Sequence, residues 1–210
     1  MAKSADFAVP GVRCRTRVFV DFWNYELSTR NVETNFRTDW TKIGMELARE
    51  ANTLVNSNAQ LEYQGVNVYS SYAPNPQGRK HRHWAETVLD RFAGVHVYTI
   101  ERQRRRSGPK CPSCYAVLGA CPACGGDMRG TEEKGIDTRI VTDMISLAWV
   151  DNYDVAVLVS SDKDFVPVAE FLQTKGIKVI HAAFPPLGAQ LTQKCWGSMD
   201  VRKLMERFRR

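Results

Sequence analysis

The chain has 210 residues, a formal net charge of +6 at pH 7 and a composition that is 43% hydrophobic, enough for a sizeable core. That length suits one α/β domain, or one such domain with a small insert. No apolar run approaches the roughly 20 residues that a membrane span needs, and Met1 to Cys14 lacks the continuous apolar core of a secretory signal. We therefore expect a cytoplasmic protein that does not insert into a membrane.

Predicted strands and helices alternate along most of the chain. Short apolar runs predict strands at residues 17–22, 65–71, 95–100, 154–160 and 177–182. Apolar residues at helical spacing predict helices at 38–55, 79–92, 135–150, 165–175, 187–195 and 201–208. Because helices separate the strands, the strands need crossover connections, and the predicted fold class is α/β with a mainly parallel sheet between helices.

Residues 101–131 interrupt this alternation and lack an apolar period. We therefore divide the chain into an N-terminal extension (1–16), a main domain (17–100 and 132–210) and an insert (101–131). The insert begins with a basic arm that contains Arg102, Arg104, Arg105 and Arg106. Clustered positive charge favours a polyanionic partner, because each phosphate contact releases condensed counterions, although a solvated linker would have the same composition.

The insert also contains four of the six cysteines, in the pattern C-x2-C-x6-C-x2-C: Cys111, Cys114, Cys121 and Cys124. In a reducing compartment such cysteines are ligands or free thiols rather than disulfides. Each C-x2-C segment forms a hook with two thiolates, and the two hooks together supply four thiolates for a tetrahedral structural Zn²⁺ site. A redox pair and an iron–sulfur cluster are the alternatives. Because few apolar residues cover this segment, metal binding would be what folds it.

Four aspartates lie at the ends of predicted elements, where they suit a metal site. Asp21 ends the first strand, Asp137 opens a helix, and Asp162 and Asp164 follow the fourth strand. The carboxyl ends of parallel strands meet at the crevice where open α/β sheets place their ligands. Mg²⁺ and Mn²⁺ prefer oxygen ligands, so the pattern predicts a divalent cation site.

Three of these aspartates and a neighbouring asparagine have structural explanations as well. Asp162 or Asp164 can cap the helix that follows, but only one residue can be that cap. Asp21 can be a loop residue that happens to follow a strand, and Asn24 can be a turn former. The pair of carboxylates after the fourth strand favours a metal site over capping alone.

The position of Asp137 also has two explanations. In the first turn of a helix it can complement the helix dipole. It shares a helical stripe with Ile140 and Met144, however, which predicts a carboxylate that faces the core and needs a cation as partner. Asp143 lies about 120° away around an ideal helix and is a weaker candidate, suited to an outer role as much as to ligation.

Three motifs, in this order, resemble those of the NYN family of PIN-like nucleases: Asp21-Phe-Trp-Asn24, Lys134-Gly-Ile-Asp137 and Ser160-Ser-Asp162-Lys-Asp164. The resemblance covers residues 17–182 and implies a PIN-like three-layer α/β/α fold and Mg²⁺- or Mn²⁺-dependent endonuclease activity, usually on RNA. Carried over to the matching positions, it implies a catalytic acidic cluster with supporting polar groups: Asp21, Asp137, Asp162 and Asp164, with Asn24 and Ser160. The cysteine-rich insert departs from the simple family pattern.

The resemblance implies a metal-dependent endoribonuclease. From the composition of the insert we add that the arginine arm, stiffened by the zinc unit, binds RNA beside the acidic crevice. Trp23, between Asp21 and Asn24, is suited either to stacking on a base or to packing in the core. A non-cleaving RNA- or DNA-binding module of the same fold is the alternative. The sequence leaves open RNA versus DNA, one or two cations, the oligomeric state, and whether the insert binds a protein instead of the substrate.

Overall fold

The computed structural model describes residues 12–56 and 58–210. The strands, in chain order, are β1 (Arg13–Asp21), β2 (Gln60–Tyr72), β3 (Val95–Glu101), β4 (Gln103–Arg104), β5 (Thr131–Glu132), β6 (Val155–Val159), β7 (Lys178–Ala183) and β8 (Gly197–Asp200). The α-helices are α1 (Phe22–Val32), α2 (Ile43–Asn56), α3 (Pro76–Thr87), α4 (Ile136–Trp149), α5 (Val166–Thr174) and α6 (Ala189–Lys194).

Six strands form one parallel sheet in the order β3-β2-β1-β6-β7-β8. The chain first builds outward from β1 to β3, then returns to the other side of β1 and builds outward from β6 to β8. The direction of winding therefore reverses between β1 and β6, which pair from Thr16 with Val155 to Val20 with Val159. In open parallel sheets the ligand crevice lies at this reversal, beyond the carboxyl ends of the strands.

Helices cover both faces of the sheet, because the central strands are apolar on both sides and bury both. In β1, Val18 and Val20 face the cluster that includes α2, whereas Phe19 faces the cluster that includes α4 and α5. This alternation follows from the two-residue period of a strand. The arrangement is a three-layer α/β/α fold, which confirms the predicted fold class.

β4 and β5 close the predicted insert as an antiparallel pair, in which Gln103 pairs with Glu132 and Arg104 with Thr131. This pairing places the first and last residues of the insert side by side. The start of α4 is thereby kept close to the end of β3, at the carboxyl edge of the sheet.

Two elements and the end of the chain differ from the prediction. Helix α1 was not predicted, because its buried side includes the polar residues Ser28 and Thr29 and its apolar spacing is weak. Strand β8 follows the strand that was predicted to be the last, and Met199 is its single buried residue, too little for a recognisable pattern. The predicted terminal helix is instead two 3₁₀ turns, Val201–Lys203 and Met205–Phe208.

The predicted N-terminal extension is only partly covered by the structure. Residues 1–11 lie outside the described residues. The remainder already belongs to the sheet, since the β1–β2 ladder begins where Arg13 pairs with Gln60. Of the helices described, none combines the length and the apolar character that crossing a membrane requires.

Candidate active site

The predicted catalytic aspartates lie at the reversal between β1 and β6. Asp21 is the last residue of β1, and Asp162 and Asp164 follow directly after β6. Asp137 lies in the first turn of α4, and its carboxylate interacts electrostatically with Asp162 and Asp164. The structure therefore brings all four aspartates to one edge of the sheet.

Asp21 is held in a half-buried position by two hydrogen bonds. The Asn24 amide donates to Oδ1 over 3.3 Å, which makes Asp21 the N-cap of α1, and the Ser160 hydroxyl donates to Oδ2 over 3.1 Å. Burial raises the pKa of Asp21 to about 6; repulsion from Asp137 and Glu133 adds to this effect, and the two hydrogen bonds oppose it. A negative charge on Asp21 is therefore costly unless a cation lies nearby.

The side chains of Asn24 and Ser160 connect α1 to the loop after β6. Asn24 Oδ1 accepts a hydrogen bond from the Ser161 amide at 2.9 Å. Ser160 is buried, and its hydroxyl accepts a hydrogen bond from the Asp162 amide at 3.2 Å while it donates to Asp21. These two polar side chains thus position the loop that carries Asp162.

Asp162 caps the 3₁₀ turn Lys163–Phe165, because its Oδ1 accepts a hydrogen bond from the Asp164 amide at 2.9 Å. Asp164 lies within that turn, and its side chain is exposed. The capping explanation therefore holds for Asp162 and leaves Asp164 as the second carboxylate. Capping engages one oxygen of Asp162, and both carboxylates still interact with Asp137.

Asp137 is exposed, so the prediction that it faces the core is wrong. The buried residues of α4 are Ile136, Ile140 and Met144. The core stripe begins at Ile136, and Asp137 lies beside that stripe rather than in it, since consecutive residues are turned by about 100°.

A fifth carboxylate, Glu133, was not predicted. It lies between β5 and α4, accepts a hydrogen bond from the hydroxyl of the buried Ser71, and is 3.4 Å from Nη2 of Arg102. The sequence signal for it is weak, because a single glutamate in a polar loop follows no strand and belongs to no helical stripe. Its position directly before the Lys134-Gly-Ile-Asp137 motif is the one clue that the sequence offers.

The carboxylates act on one another as an acidic cluster, defined here as Asp21, Glu133, Asp137, Asp162 and Asp164. Although Asp137 is exposed, surrounding protein atoms partly desolvate its carboxylate and raise its pKa, and repulsion from Asp162, Glu133 and Asp164 raises it further. Within residues 12–56 and 58–210, no three His, Cys, Asp or Glu side chains are spaced as ligands of one metal ion. The chemistry of these carboxylates, rather than their spacing, suits a hard divalent cation, because such a cation binds carboxylate oxygens and neutralises their mutual repulsion.

Asp143 is engaged in other contacts. Its Oδ2 accepts a hydrogen bond from Nε of Arg139 at 2.9 Å and another from the Tyr69 hydroxyl at 3.0 Å. Repulsion from Asp162, Glu133 and Asp164 raises the pKa of Asp137, whereas Asp143 makes no such contribution. Asp143 therefore lies outside the cluster, in a structural ion pair.

The four predicted nucleic-acid-binding arginines occupy two kinds of position. Arg102 is half-buried and adjoins the acidic cluster through its contact with the fifth carboxylate. Arg104 lies on β4, and its guanidinium is 3.7 Å from Asp127 of the insert. Arg105 and Arg106 follow with exposed side chains. Positive charge thus extends from the crevice along the insert.

The two C-x2-C segments form hooks of the same shape. The Tyr115 amide donates to the Cys111 carbonyl at 2.9 Å, and the Gly125 amide donates to the Cys121 carbonyl at 2.8 Å. Tyr115 and Gly125 both have left-handed backbones, with φ of 58° and 70°. A glycine adopts that conformation at no steric cost, whereas a tyrosine is strained by it, so the first hook is the more strained of the two.

Within each hook the two thiols lie next to each other. Backbone amides of the same hook lower the pKa of Cys111 and of Cys121, and the thiols of Cys114 and Cys124 add to this effect. Lowered thiol pKa values favour the thiolates that bind zinc. Across the described part of the chain, however, the four sulfurs do not form one metal-spaced group, and the zinc site stays a prediction.

Comparisons with known proteins identify the family and the fold. The NYN domain model matches residues 15–197, a range that includes every member of the acidic cluster. The fold is similar to the crystal structure of a protein of unknown function from Vibrio parahaemolyticus, with a TM-score of 0.58 and 19% sequence identity over 94% of this chain and 97% of that one. Among curated proteins, none matches this sequence significantly. Because the NYN model spans most of the chain, the protein belongs to the NYN domain family of PIN-like nucleases, which act on nucleic acids.

Proposed function

We propose that this protein is a metal-dependent endoribonuclease that hydrolyses phosphodiester bonds at the acidic cluster. The proposal rests on carboxylates that converge from three segments of the chain, after β1, around the start of α4 and after β6. Capping accounts for Asp21 and Asp162 but not for Asp137, because the N-cap position of α4 is Gly135 and Asp137 lies inside the first turn. Asp137 can complement the dipole of α4, but the dipole does not account for its nearness to Asp162 and Asp164, and this convergence of like charges is the observation that favours a cation site.

In this proposal Asp21, Asp137, Asp162 and Asp164 hold one or two Mg²⁺ or Mn²⁺ ions, which neutralise charge on the scissile phosphate and lower the pKa of an attacking water. Asp21 is mostly deprotonated at neutral pH, since its pKa is about 6. The hydrogen bond from Ser160 fixes its Oδ2, so the carboxylate keeps one orientation when substrate binds.

The basic arm supports RNA as the substrate class. Arg105 and Arg106 are exposed and follow Arg102, which contacts Glu133 of the acidic cluster, and the chain as a whole carries +6. Guanidinium groups pair with phosphates in two-point contacts and stack on unpaired bases, which are accessible in single-stranded RNA. The arm would therefore hold the strand while the cluster hydrolyses it.

We also propose that the two hooks bind one structural Zn²⁺ through Cys111, Cys114, Cys121 and Cys124. The matched geometry of the hooks and the lowered pKa of the leading thiols support this assignment. A folded zinc unit would stiffen the insert and restrict the positions that the arm can take.

The test of the function is cleavage of end-labelled single-stranded RNA and DNA in Mg²⁺ or Mn²⁺, with EDTA as the metal-free condition. Asp162→Asn should abolish cleavage but leave RNA binding intact, because it removes a ligand charge and keeps the capping oxygen. Asp151→Asn is the matched control, since Asp151 is exposed before β6 and its left-handed backbone, with φ of 57°, suits asparagine.

Cleavage of RNA that needs the cation and the Asp162 carboxylate would support the proposal. If wild-type protein binds RNA but cuts neither RNA nor DNA with either cation, the protein is a non-cleaving nucleic-acid-binding module and the nuclease proposal is wrong. Equal cleavage by Asp162→Asn and wild type would remove the acidic cluster from the mechanism.

A further inference from the structure

A small cavity lies beside the acidic cluster. It has a volume of about 250 Å³, and the residues that line it include Trp23, Tyr72, Gln77, His81 and Arg102. It adjoins the cluster because Trp23 is two residues from Asp21 and because Arg102 contacts Glu133. No catalytic role discussed above uses this space.

Two aromatic rings form a fixed wall of the cavity. The indole N–H of Trp23 donates to the Ser71 carbonyl at 2.6 Å, which fixes the ring plane while part of the ring stays exposed. The ring of His81 lies 5.0 Å from Trp23 and 4.9 Å from the buried Phe22, and its Nε2 is 2.7 Å from the Ser70 hydroxyl. Because these rings are held in place, a planar ligand would not have to order them.

A cation completes the wall. The guanidinium carbon of Arg102 lies 5.8 Å from the centroid of the Trp23 ring, and its Nε donates to the Ser71 hydroxyl over 2.9 Å. The same guanidinium group contacts Glu133 of the acidic cluster. Because this guanidinium lies over the Trp23 ring, a planar ligand in the cavity would meet the indole and the positive charge together, with the acidic cluster next to them.

The size and chemistry of the cavity define its occupant. Its volume is below the roughly 300 Å³ at which pockets for drug-sized molecules begin, so it suits one flat ring system rather than a whole nucleotide. Unpaired bases bind proteins by stacking on aromatic side chains and on arginine, with little dependence on base identity. We propose that this cavity receives one unpaired nucleobase of the substrate strand, next to the phosphate that lies at the acidic cluster. The inference rests on the nuclease function proposed above and adds a base-stacking subsite to it.

The experiment combines a protein variant with an RNA that lacks one base. After the cut site in a single-stranded 12-mer RNA is mapped with wild-type protein, each nucleotide next to the cut is replaced in turn by an abasic ribose. kcat/KM is then measured for wild type and for Trp23→Leu, which keeps apolar contact with Phe22 but removes the stacking face. Trp149→Leu is the matched control, since Trp149 is 81% exposed at the far end of α4.

One abasic position should lower kcat/KM of the wild type about tenfold, which is within the range measured for base–aromatic stacking. Trp23→Leu should lose a similar factor on intact RNA and should then be insensitive to that abasic position, because both changes remove the same contact. Trp23→Phe should recover most of the loss, and Trp149→Leu should behave as wild type. If the abasic penalty is as large in Trp23→Leu as in wild type, the cavity does not hold that base.

Failure of the nuclease proposal gives a different result. In that case wild-type protein cuts no RNA, and the subsite is tested by the binding of intact and abasic 12-mers to wild type and Trp23→Leu, measured by fluorescence anisotropy. Weaker binding of the abasic RNA to wild type alone would support the cavity, and equal binding of the two RNAs to wild type would overturn it. If circular dichroism shows that Trp23→Leu is unfolded, Trp23→Phe takes its place, and its smaller ring should reduce the difference between intact and abasic RNA only in part.

Discussion

The loop that carries Asp162 is supported by the buried side chain of His181. His181 Nε2 lies 2.8 Å from the Ser160 carbonyl, so this nitrogen donates, and Nδ1 then accepts from the Thr192 hydroxyl at 2.8 Å. Burial lowers the pKa of His181, and the hydrogen bond to Ser160 opposes this shift in part. The imidazole is therefore neutral at pH 7 and acts as a positioning group beneath the site.

Replacement of His181 should weaken the fold and change its pH dependence. His181→Ala should lower the free energy of unfolding by about 1–3 kcal/mol, because it leaves the buried Ser160 carbonyl without its partner. Since the pKa is lowered in the folded state, the contribution of His181 is complete above the unfolded pKa of about 6.5 and declines as the pH falls below it. Urea unfolding at pH 8 and pH 5.5 measures both effects, with the exposed His96→Ala as control; equal pH dependence in His181→Ala and wild type would contradict the assignment.

The charge on Asp21 should cost stability in metal-free protein. Its pKa is raised from 3.8 to about 6, so the folded state is favoured by protonation, and this contribution is lost as the pH rises through about 6. Asp21→Asn keeps the cap and removes the charge, and should therefore stabilise the protein by up to about 3 kcal/mol at pH 7.5 and by almost nothing at pH 4.

Chemical denaturation of wild type and Asp21→Asn in EDTA measures this difference. The same variant should be inactive, so a gain in stability would accompany the loss of cleavage. An Asp21→Asn protein that is no more stable than wild type at pH 7.5 would mean that the Asp21 carboxylate is solvated and carries no electrostatic strain.

Residues at strand ends could be predicted because the strands themselves are visible as apolar runs. Asp21 follows Val18-Phe19-Val20, and Asp162 follows the run that forms β6, so their positions at the crevice follow from the sheet. Glu133 could not be found this way, because its proximity to the cluster depends on how the insert returns to α4. The exposure of Asp137 depends on whether the buried stripe of α4 begins at residue 136 or at residue 137, and the sequence pattern does not distinguish the two.

At the scale of elements, α1 and the insert determine how the crevice is built. α1 starts at the carboxyl end of β1, and its Asn24 side chain holds the loop after β6, so the helix ties two separate carboxylate-bearing segments together. The sequence did not predict α1, because tertiary packing rather than an apolar stripe stabilises this helix. Its buried side contains Tyr25, Ser28 and Thr29. The Thr29 hydroxyl and the Tyr25 carbonyl form a hydrogen bond of 2.8 Å within it.

Removal of one hook should release the zinc without stopping catalysis. Wild-type protein should contain about one zinc per chain by elemental analysis, and Cys111→Ser with Cys114→Ser should contain none, because two thiolates cannot complete a tetrahedral site. Cleavage at saturating RNA should persist, whereas the affinity for RNA should fall as the arm becomes mobile. Cys195→Ser, outside the insert, is the control; zinc-free wild-type protein, or loss of catalysis at saturating RNA, would contradict this division of roles.

At the scale of the whole molecule, the reversal of winding between β1 and β6 explains why the site forms where it does. The alternation of apolar runs with helical segments was sufficient to predict a parallel sheet, because parallel strands require crossovers. The strand order, which places β1 between β2 and β6, could not be read from the sequence, since it depends on contacts between segments far apart in the chain. The short edge strand β8 was missed for the same reason as α1, namely a lack of local pattern.

The net charge of +6 predicts binding to RNA that weakens strongly with salt. For single strands the logarithm of the association constant should fall with the logarithm of the salt concentration, with a slope of about −0.7 for each phosphate contacted. Arg105→Gln with Arg106→Gln should make this slope less steep by about one to two, whereas Arg49→Gln, which removes an arginine paired with Glu46, should not change it. Fluorescence anisotropy titrations between 50 and 300 mM NaCl measure the slopes. An unchanged slope in the double variant would mean that Arg105 and Arg106 do not contact the phosphates of the RNA.

The single-turnover rate of RNA cleavage in Mn²⁺, with protein in excess over a single-stranded substrate, tests the central claim most directly. At equal RNA occupancy, Asp162→Asn should be slower than wild type by more than about a hundredfold, because loss of a direct ligand exceeds the cost of changing an outer one. Asp151→Asn should cut at the wild-type rate. A rate for Asp162→Asn within a few-fold of wild type would contradict catalysis by the acidic cluster.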